Sequence, residues 1–185
     1  MKNLKVSKNN LRAFLVGGTL AVSGQVFANA NTEQCWGEAS QMYGVDPALL
    51  MAIAWKESRG RVSSVGPILS DGNRALGLMQ INTIHMSMLS RHGIRKEDLF
   101  DPCVSKKIGA YVLADCIKRF GSSWKAVGCY YGGPASKAYR AMRGYQADVK
   151  RYYAGYLGLI QNEQFASTQN LKQLPQFGSA VNWSD

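Results

Sequence analysis

A chain of 185 residues with 46 % apolar content is long enough for one packed domain and a tail, with the composition of an ordinary globular protein. The formal charge of +10 is partly a leader effect, because setting aside Lys2, Lys5, Lys8 and Arg12 leaves 18 cations against 12 acids, a net +6. Those cations are scattered, which argues against a nucleic-acid partner and is compatible with an anionic polymer or membrane surface.

The first segment stands apart from the fold. The four cations precede an apolar run from Ala13 to Val22, and Val26-Phe27-Ala28 with Asn29-Ala30 supplies small residues for cleavage, the pattern of a secretory signal peptide over residues 1–28. The run is shorter than the ~20 apolar residues of a spanning helix, and no later segment reads as transmembrane. Cys35, Cys103, Cys116 and Cys129 all follow the leader. In an oxidising compartment their expected use is two disulfides, with three pairings open. Their spacing is not that of a zinc site, and His85 and His92 are too few for a metal set, so neither metal nor cofactor is expected.

From Thr32 to Ile160 the spacing of apolar residues is almost wholly helical. Cys35, Ala39, Met42 and Tyr43 form one stripe closed by Gly44. Asp46-Pro47 supplies an N-cap and a first helical residue for Ala48 to Ser58, and Asp101-Pro102 repeats that signal for a long helix ending near Phe120 and Gly121. Shorter helices are expected over Thr83–His92, Ser123–Tyr130, Ala135–Tyr145 and Ala147–Ile160, with Gly132-Gly133-Pro134 as a break. Residues 59–81 carry Gly60, Gly66-Pro67, Asp71-Gly72 and Gly77, which leaves room for loops and a short hairpin. A mainly α domain over 29–160, with a small irregular or β insert beside a buried helix, is the shape of a cleft. From Gln161 to Asp185 the composition turns polar, broken by Leu171, Leu174, Phe177 and Trp183, as in a flexible tail.

The helix from Ala48 to Trp55 is apolar on all sides, so it is expected to cross the core. At 100° per residue Glu57 lies about 40° from Ile53 and about 20° from Leu50, whereas Lys56 points about 100° away. Glu57 therefore belongs to an apolar stripe near the negative end of a helix dipole. Desolvation and dipole both favour its protonated form, as a general acid requires. The competing reading is a glutamate that emerges into solvent or pairs with Arg59 or Arg61.

Several ordered motifs bear on that choice. Ala54-Trp55-Lys56-Glu57-Ser58, Gly77-Leu78-Met79-Gln80-Ile81-Asn82, His85, Asp101-Pro102-Cys103 and Ser123-Trp124-Lys125-Ala126-Val127-Gly128-Cys129-Tyr130 together resemble the soluble lytic transglycosylase domain. More narrowly, the chain is similar to the small accessory transglycosylases of conjugation, secretion and pilus systems, over about Cys35 to Tyr153. The resemblance implies a lysozyme-like, α+β domain and cleavage of the β-1,4 bond between N-acetylmuramic acid and N-acetylglucosamine, and with the signal peptide the expected location is the periplasm. The implied partners are peptidoglycan glycan strands and components of a trans-envelope machine.

Residue by residue, Glu57 matches the family's catalytic glutamate, which acts first as acid and then as base while a 1,6-anhydro ring closes. Gln80 and Met79 match cleft positions, an amide to bond the sugar and a thioether to pack on it. Tyr130 matches the tyrosine whose hydroxyl helps hold the glutamate, Ser58 supports it, and His85 is a structural position. The same resemblance pairs Cys35 with Cys103, leaving Cys116 and Cys129 as an additional bridge. One departure stands out: Tyr131-Gly132-Gly133 follows Tyr130 where the family usually has asparagine, a small residue and glycine.

Two other readings remain open at this point. Asp71 could be the second carboxylate of a hydrolytic muramidase, at ~5 Å from Glu57 for retention or ~6.5–9.5 Å for inversion, or simply a turn former before Gly72. The domain could also be a non-catalytic peptidoglycan-binding assembly module.

Overall fold

The computed structural model describes residues 34–168. The signal peptide expected over 1–28, and the tail beyond Thr168 with Leu171, Leu174, Phe177 and Trp183, lie outside them.

The first helix, α1, covers residues 34–43 and buries Cys35 and Ala39, but Met42 is 59 % exposed, so its apolar stripe is narrower than the spacing suggests. Helix α2, Pro47–Ser58, starts as expected: Asp46 Oδ1 accepts from the backbone N–H groups of Ala48 at 2.8 Å and Leu49 at 3.3 Å, and Pro47 occupies the first turn. A cap of this kind stabilises a helix by about 1 kcal/mol. Its residues Leu49, Leu50, Ala52 and Ile53 have no exposed surface and form the centre of the core. Trp55 is 41 % exposed, so the all-round burial of the helix ends one turn before its C-terminus. Arg59 caps that end in the left-handed region, φ 56°, with its N–H on the Trp55 carbonyl.

The glycine-punctuated insert folds as a small sheet. Strands β1, Ala75–Leu76, and β2, Ile81–Asn82, pair antiparallel with Ala75 opposite Asn82 and Leu76 opposite Ile81. A bridge between Val65 and Leu76 adds the preceding loop to the sheet. Residues 77–80 are therefore the turn of a hairpin. Gly77, at φ 77°, is required there because a Cβ would collide with the Leu99 carbonyl oxygen.

The helix expected over Thr83–His92 is broken into a 3-10 turn, Thr83–His85, a single α turn that we number α3, Met86–Leu89, and a second 3-10 turn, Ser90–His92. Only Leu89 of this stretch is buried, too little apolar surface to hold a regular helix. A further 3-10 turn, Glu97–Phe100, leads to α4, Pro102–Phe120, whose N-cap Asp101 accepts from Val104 N–H at 2.8 Å. Helix α5 is Trp124–Gly132. The two helices expected over Ala135–Tyr145 and Ala147–Ile160 are one, α6, Tyr139–Thr168. Neither Gln146 nor anything between Gln161 and Thr168 is a glycine or proline, so the helix continues where the polar composition suggested a tail beginning.

Helix α6 packs against α2 and α5, and α5 against α4. Cys35–Cys103, the bridge the family resemblance implied, ties α1 to the first turn of α4, and the expected additional bridge, Cys116–Cys129, ties α4 to α5. At sequence separations of 68 and 13, loop entropy gives them about 4 and about 3 kcal/mol of stabilisation. The architecture is the expected one, helical with a two-stranded insert. No helix among the described residues is long and apolar enough to cross a membrane.

Candidate active site

Glu57 sits one residue from the end of α2, with Ile53, Ala54 and Ser58 buried around it. Its carboxyl is partly buried, and that desolvation raises its pKa from 4.5 to about 7, opposed by a hydrogen bond from Tyr145 and the charge of Lys56. A carboxylic acid in this state holds its proton near neutrality. The alternative pairing with Arg59 or Arg61 does not occur as a hydrogen bond or ion pair. Arg59 donates to Tyr152 Oη at 2.6 Å and lies 5.8 Å from the Trp55 ring and 5.1 Å from that of Tyr152.

The partner of Glu57 is a residue that sequence reasoning missed. Tyr145 Oη donates to Glu57 Oε1 at 2.6 Å. Tyr145 is only 4 % exposed, and burial together with the nearby carboxylate raises its pKa well above 10, so it stays protonated and donates. Tyr145, Val149 and Tyr153 are buried at i, i+4 and i+8, one face of α6. Tyr153 in turn donates to Asp46 Oδ2 at 2.6 Å. Two phenols eight residues apart thus brace α2 at its N-cap and at Glu57 near its C-terminal end. Lys56 is drawn off by Asp148, Nζ to Oδ2 at 2.5 Å, which leaves the Glu57 carboxyl with a neutral hydrogen-bond donor.

Tyr130, expected to hold the glutamate, donates instead to the Met79 carbonyl at 2.8 Å. It stays close enough for the Glu57 charge to raise its pKa further above 10, on top of the effect of burial. The Met79 side chain has no exposed surface, so its thioether is core filling rather than a sugar contact. It lies against Gly109 of α4, where a Cβ would collide with it, and its N–H donates to Ser105 Oγ at 3.1 Å. Gln80 adopts φ 48° and spends its amide N–H₂ on the carbonyls of Ser64 at 3.1 Å and Gly77 at 2.9 Å, locking the insert. Ser58 is 1 % exposed with its hydroxyl on the Ala54 carbonyl at 3.2 Å, so it supports α2 rather than touching substrate.

Asp71 is exposed, its Oδ1 accepts from Asn73 N–H at 2.9 Å, and hydrogen bonding first to the side chain and then to the backbone of Asn73 lowers its pKa. This is the turn geometry that Asp-Gly favours. His85 is half-buried, with its pKa lowered by desolvation. Tyr131, the departure from the family pattern, is 50 % exposed and stacks on Tyr145 with ring centroids 4.9 Å apart and planes inclined by 27°.

The transglycosylase SLT domain matches residues 34–153. The X polypeptide of Escherichia coli strain K12 is 39 % identical over 153 residues, 80 % of this chain and 87 % of that protein. Invasion protein IagB of Salmonella typhimurium is 39 % identical over 127 residues, 68 % of this chain and 74 % of the relative. Among solved structures, an inactive mutant of the lytic transglycosylase Slt of Pseudomonas aeruginosa superposes with a TM-score of 0.58 at 20 % identity, a likeness of fold. That match covers 70 % of this chain and 24 % of the larger protein, so the chain spans about a quarter of it.

Proposed function

The chain belongs to the transglycosylase SLT domain family of peptidoglycan lytic transglycosylases, and from that premise we propose that Glu57 alone is both acid and base in cleaving the bond between N-acetylmuramic acid and N-acetylglucosamine. The observation that supports this most directly is the Glu57 carboxyl itself: partly buried at a helix C-terminus, protonated up to about pH 7, and held by one oxygen only. Tyr145 occupies Oε1, so the transferable proton belongs on Oε2, which accepts no hydrogen bond from the described residues.

The steps follow from that placement. The bond between muramic C1 and the glucosamine oxygen breaks, its electron pair stays on that oxygen, and Oε2 delivers the proton. The muramic C6 hydroxyl oxygen then bonds to C1 and gives its proton to the new Glu57 carboxylate, which regenerates the acid and closes a 1,6-anhydro ring. Both proton transfers occur at one place, so a single residue serves both. A group with a pKa near the working pH is suited to donate and to accept. Tyr145 stabilises the carboxylate formed between the steps, a hydrogen bond that is charge-assisted only then.

In the same reading the protein acts in the periplasm and opens the wall locally for a trans-envelope secretion, conjugation or pilus machine. Its support is the leader pattern of residues 1–28, the two disulfides, and a relative that is an invasion protein. Digesting purified peptidoglycan with the mature protein and weighing the released fragments tests the chemistry: anhydro ends are lighter than hydrolytic ends by one water. Fragments with free reducing ends would sink it.

A further inference from the structure

We propose that Tyr131 is a positioning residue for the reaction, acting through its stack on Tyr145 to keep that hydroxyl aimed at Glu57 Oε1. The inference rests on the assignment of Glu57 as acid and base, and it concerns a position where this chain departs from the pattern it otherwise resembles.

The geometry carries it. Tyr145 lies on α6 and Tyr131 near the C-terminal end of α5, so no regular backbone hydrogen bond fixes one ring against the other. Their rings meet at 4.9 Å and 27°, the near-parallel arrangement in which aromatic pairs attract. Tyr145 also has Lys56 Nζ 5.9 Å from its ring centroid, a looser contact from α2. A phenol that must hold its hydroxyl at 2.6 Å from a carboxyl gains from a flat neighbour that restricts rotation of the ring out of that line. An asparagine side chain is too short and carries no ring, so it cannot supply this face.

Exposure separates Tyr131 from an ordinary core aromatic. Half of it is open, whereas Tyr145 is 4 % exposed, so the stack is an outer plate laid over a buried working residue. Core filling does not need a tyrosine whose ring is half in water. The groups that bear on the Glu57 charge are Lys56 with Asp148 on the α2–α6 side, Tyr145 on α6, and Tyr130 on α5. Tyr131 acts on Tyr145 and reaches Glu57 only through it.

The test compares Tyr131→Phe with Tyr131→Ala in the mature protein on purified peptidoglycan, measuring kcat, KM, thermal stability and the pH dependence of kcat. Phenylalanine keeps the plate and is expected to stay within about 2-fold of wild type. Alanine is expected to lower kcat by about 3- to 10-fold, the range an aromatic pair supplies, with KM within about 2-fold. Loosening the Tyr145 bond also raises the Glu57 pKa, so the alkaline limb of the alanine profile moves to higher pH. If alanine matches wild type in kcat and pH profile, or if only KM or stability changes, Tyr131 is not a positioning residue. Glu57→Gln in the same assay separates the two ideas: an active Glu57→Gln overturns the acid assignment, whereas an inactive one beside an unchanged Tyr131→Ala overturns only this proposal.

Discussion

Tyr145 and Glu57 are 88 residues apart in sequence, yet the phenol hydroxyl is 2.6 Å from the carboxyl and donates to one of its two oxygens. The contact lowers the proton affinity that burial raises, so the value of about 7 is a balance between two opposed effects. It also makes the two oxygens unequal, because Oε1 carries the phenol's hydrogen bond.

Tyr145→Phe removes the donor and keeps the ring. A hydrogen bond to a charged group is worth about 1.5–3 kcal/mol, so kcat is expected to fall about 10- to 100-fold with little change in KM. The lost bond had favoured the carboxylate, so the Glu57 pKa rises in the variant. Because the alkaline limb reports loss of the acid's proton, it should move upward in pH. A limb that stays in place would show that Tyr145 does not act on Glu57.

Glu57→Gln is expected to reduce cleavage by at least about 10²–10⁴-fold and to stabilise the fold at neutral pH. The sign follows from linkage: the folded carboxyl titrates at about 7 and the unfolded one near 4.5, so the folded state binds more protons between those values. Wild-type stability therefore declines as pH rises from about 4.5 to about 7, by on the order of 3 kcal/mol. Glutamine has no charge to desolvate. Melting temperatures of the two proteins should converge below pH 4.5 and separate above it, glutamine being higher; equal separation at all pH values would refute the buried-acid account.

The sequence carried the parts of this site that depend on local rules. Both Asp-Pro helix starts, the apolar register that buries Glu57 and the glycine-rich insert were legible because capping, 3.6-residue periodicity and turn chemistry act over a few residues. What was not legible was long-range. Tyr130 and Tyr145 are both tyrosines on neighbouring helices, and choosing which hydroxyl reaches Glu57 needs the packing of α5 and α6 on α2. The stripe of Tyr145, Val149 and Tyr153 signalled an inward face but not what it would meet. Met79 illustrates the same limit: its motif suggested a cleft, whereas only the approach of α4 at Gly109 shows its side chain to be sealed inside.

That burial makes a distinguishing prediction. Met79→Ala should cost about 2–5 kcal/mol of stability by leaving a cavity, and KM should not change because the thioether reaches no substrate. Gln80→Ala should cost about 1–3 kcal/mol by freeing the carbonyls of Ser64 and Gly77. Urea unfolding gives both numbers. An unaltered unfolding midpoint with a raised KM for Met79→Ala would restore the sugar-packing role.

Asp71 decides between the anhydro and hydrolytic chemistries. If the C6 hydroxyl closes the ring, no water is activated and no second carboxylate is needed, so Asp71→Asn should keep activity within about 2-fold of wild type. The turn should survive as well, because the asparagine oxygen can still accept from Asn73 N–H as Asp71 Oδ1 does at 2.9 Å. In a hydrolytic enzyme the same substitution removes the base or nucleophile, and a loss comparable to that of Glu57→Gln follows. The two routes also leave different ends, an internal anhydro ring or a free reducing sugar, distinguishable by mass on the same digest. Anhydro ends together with an active Asp71→Asn variant establish the one-carboxylate route. Reducing ends together with a crippled Asp71→Asn variant establish a muramidase, while no cleavage at all by the folded wild type leaves the glycan-binding module as the function of the domain.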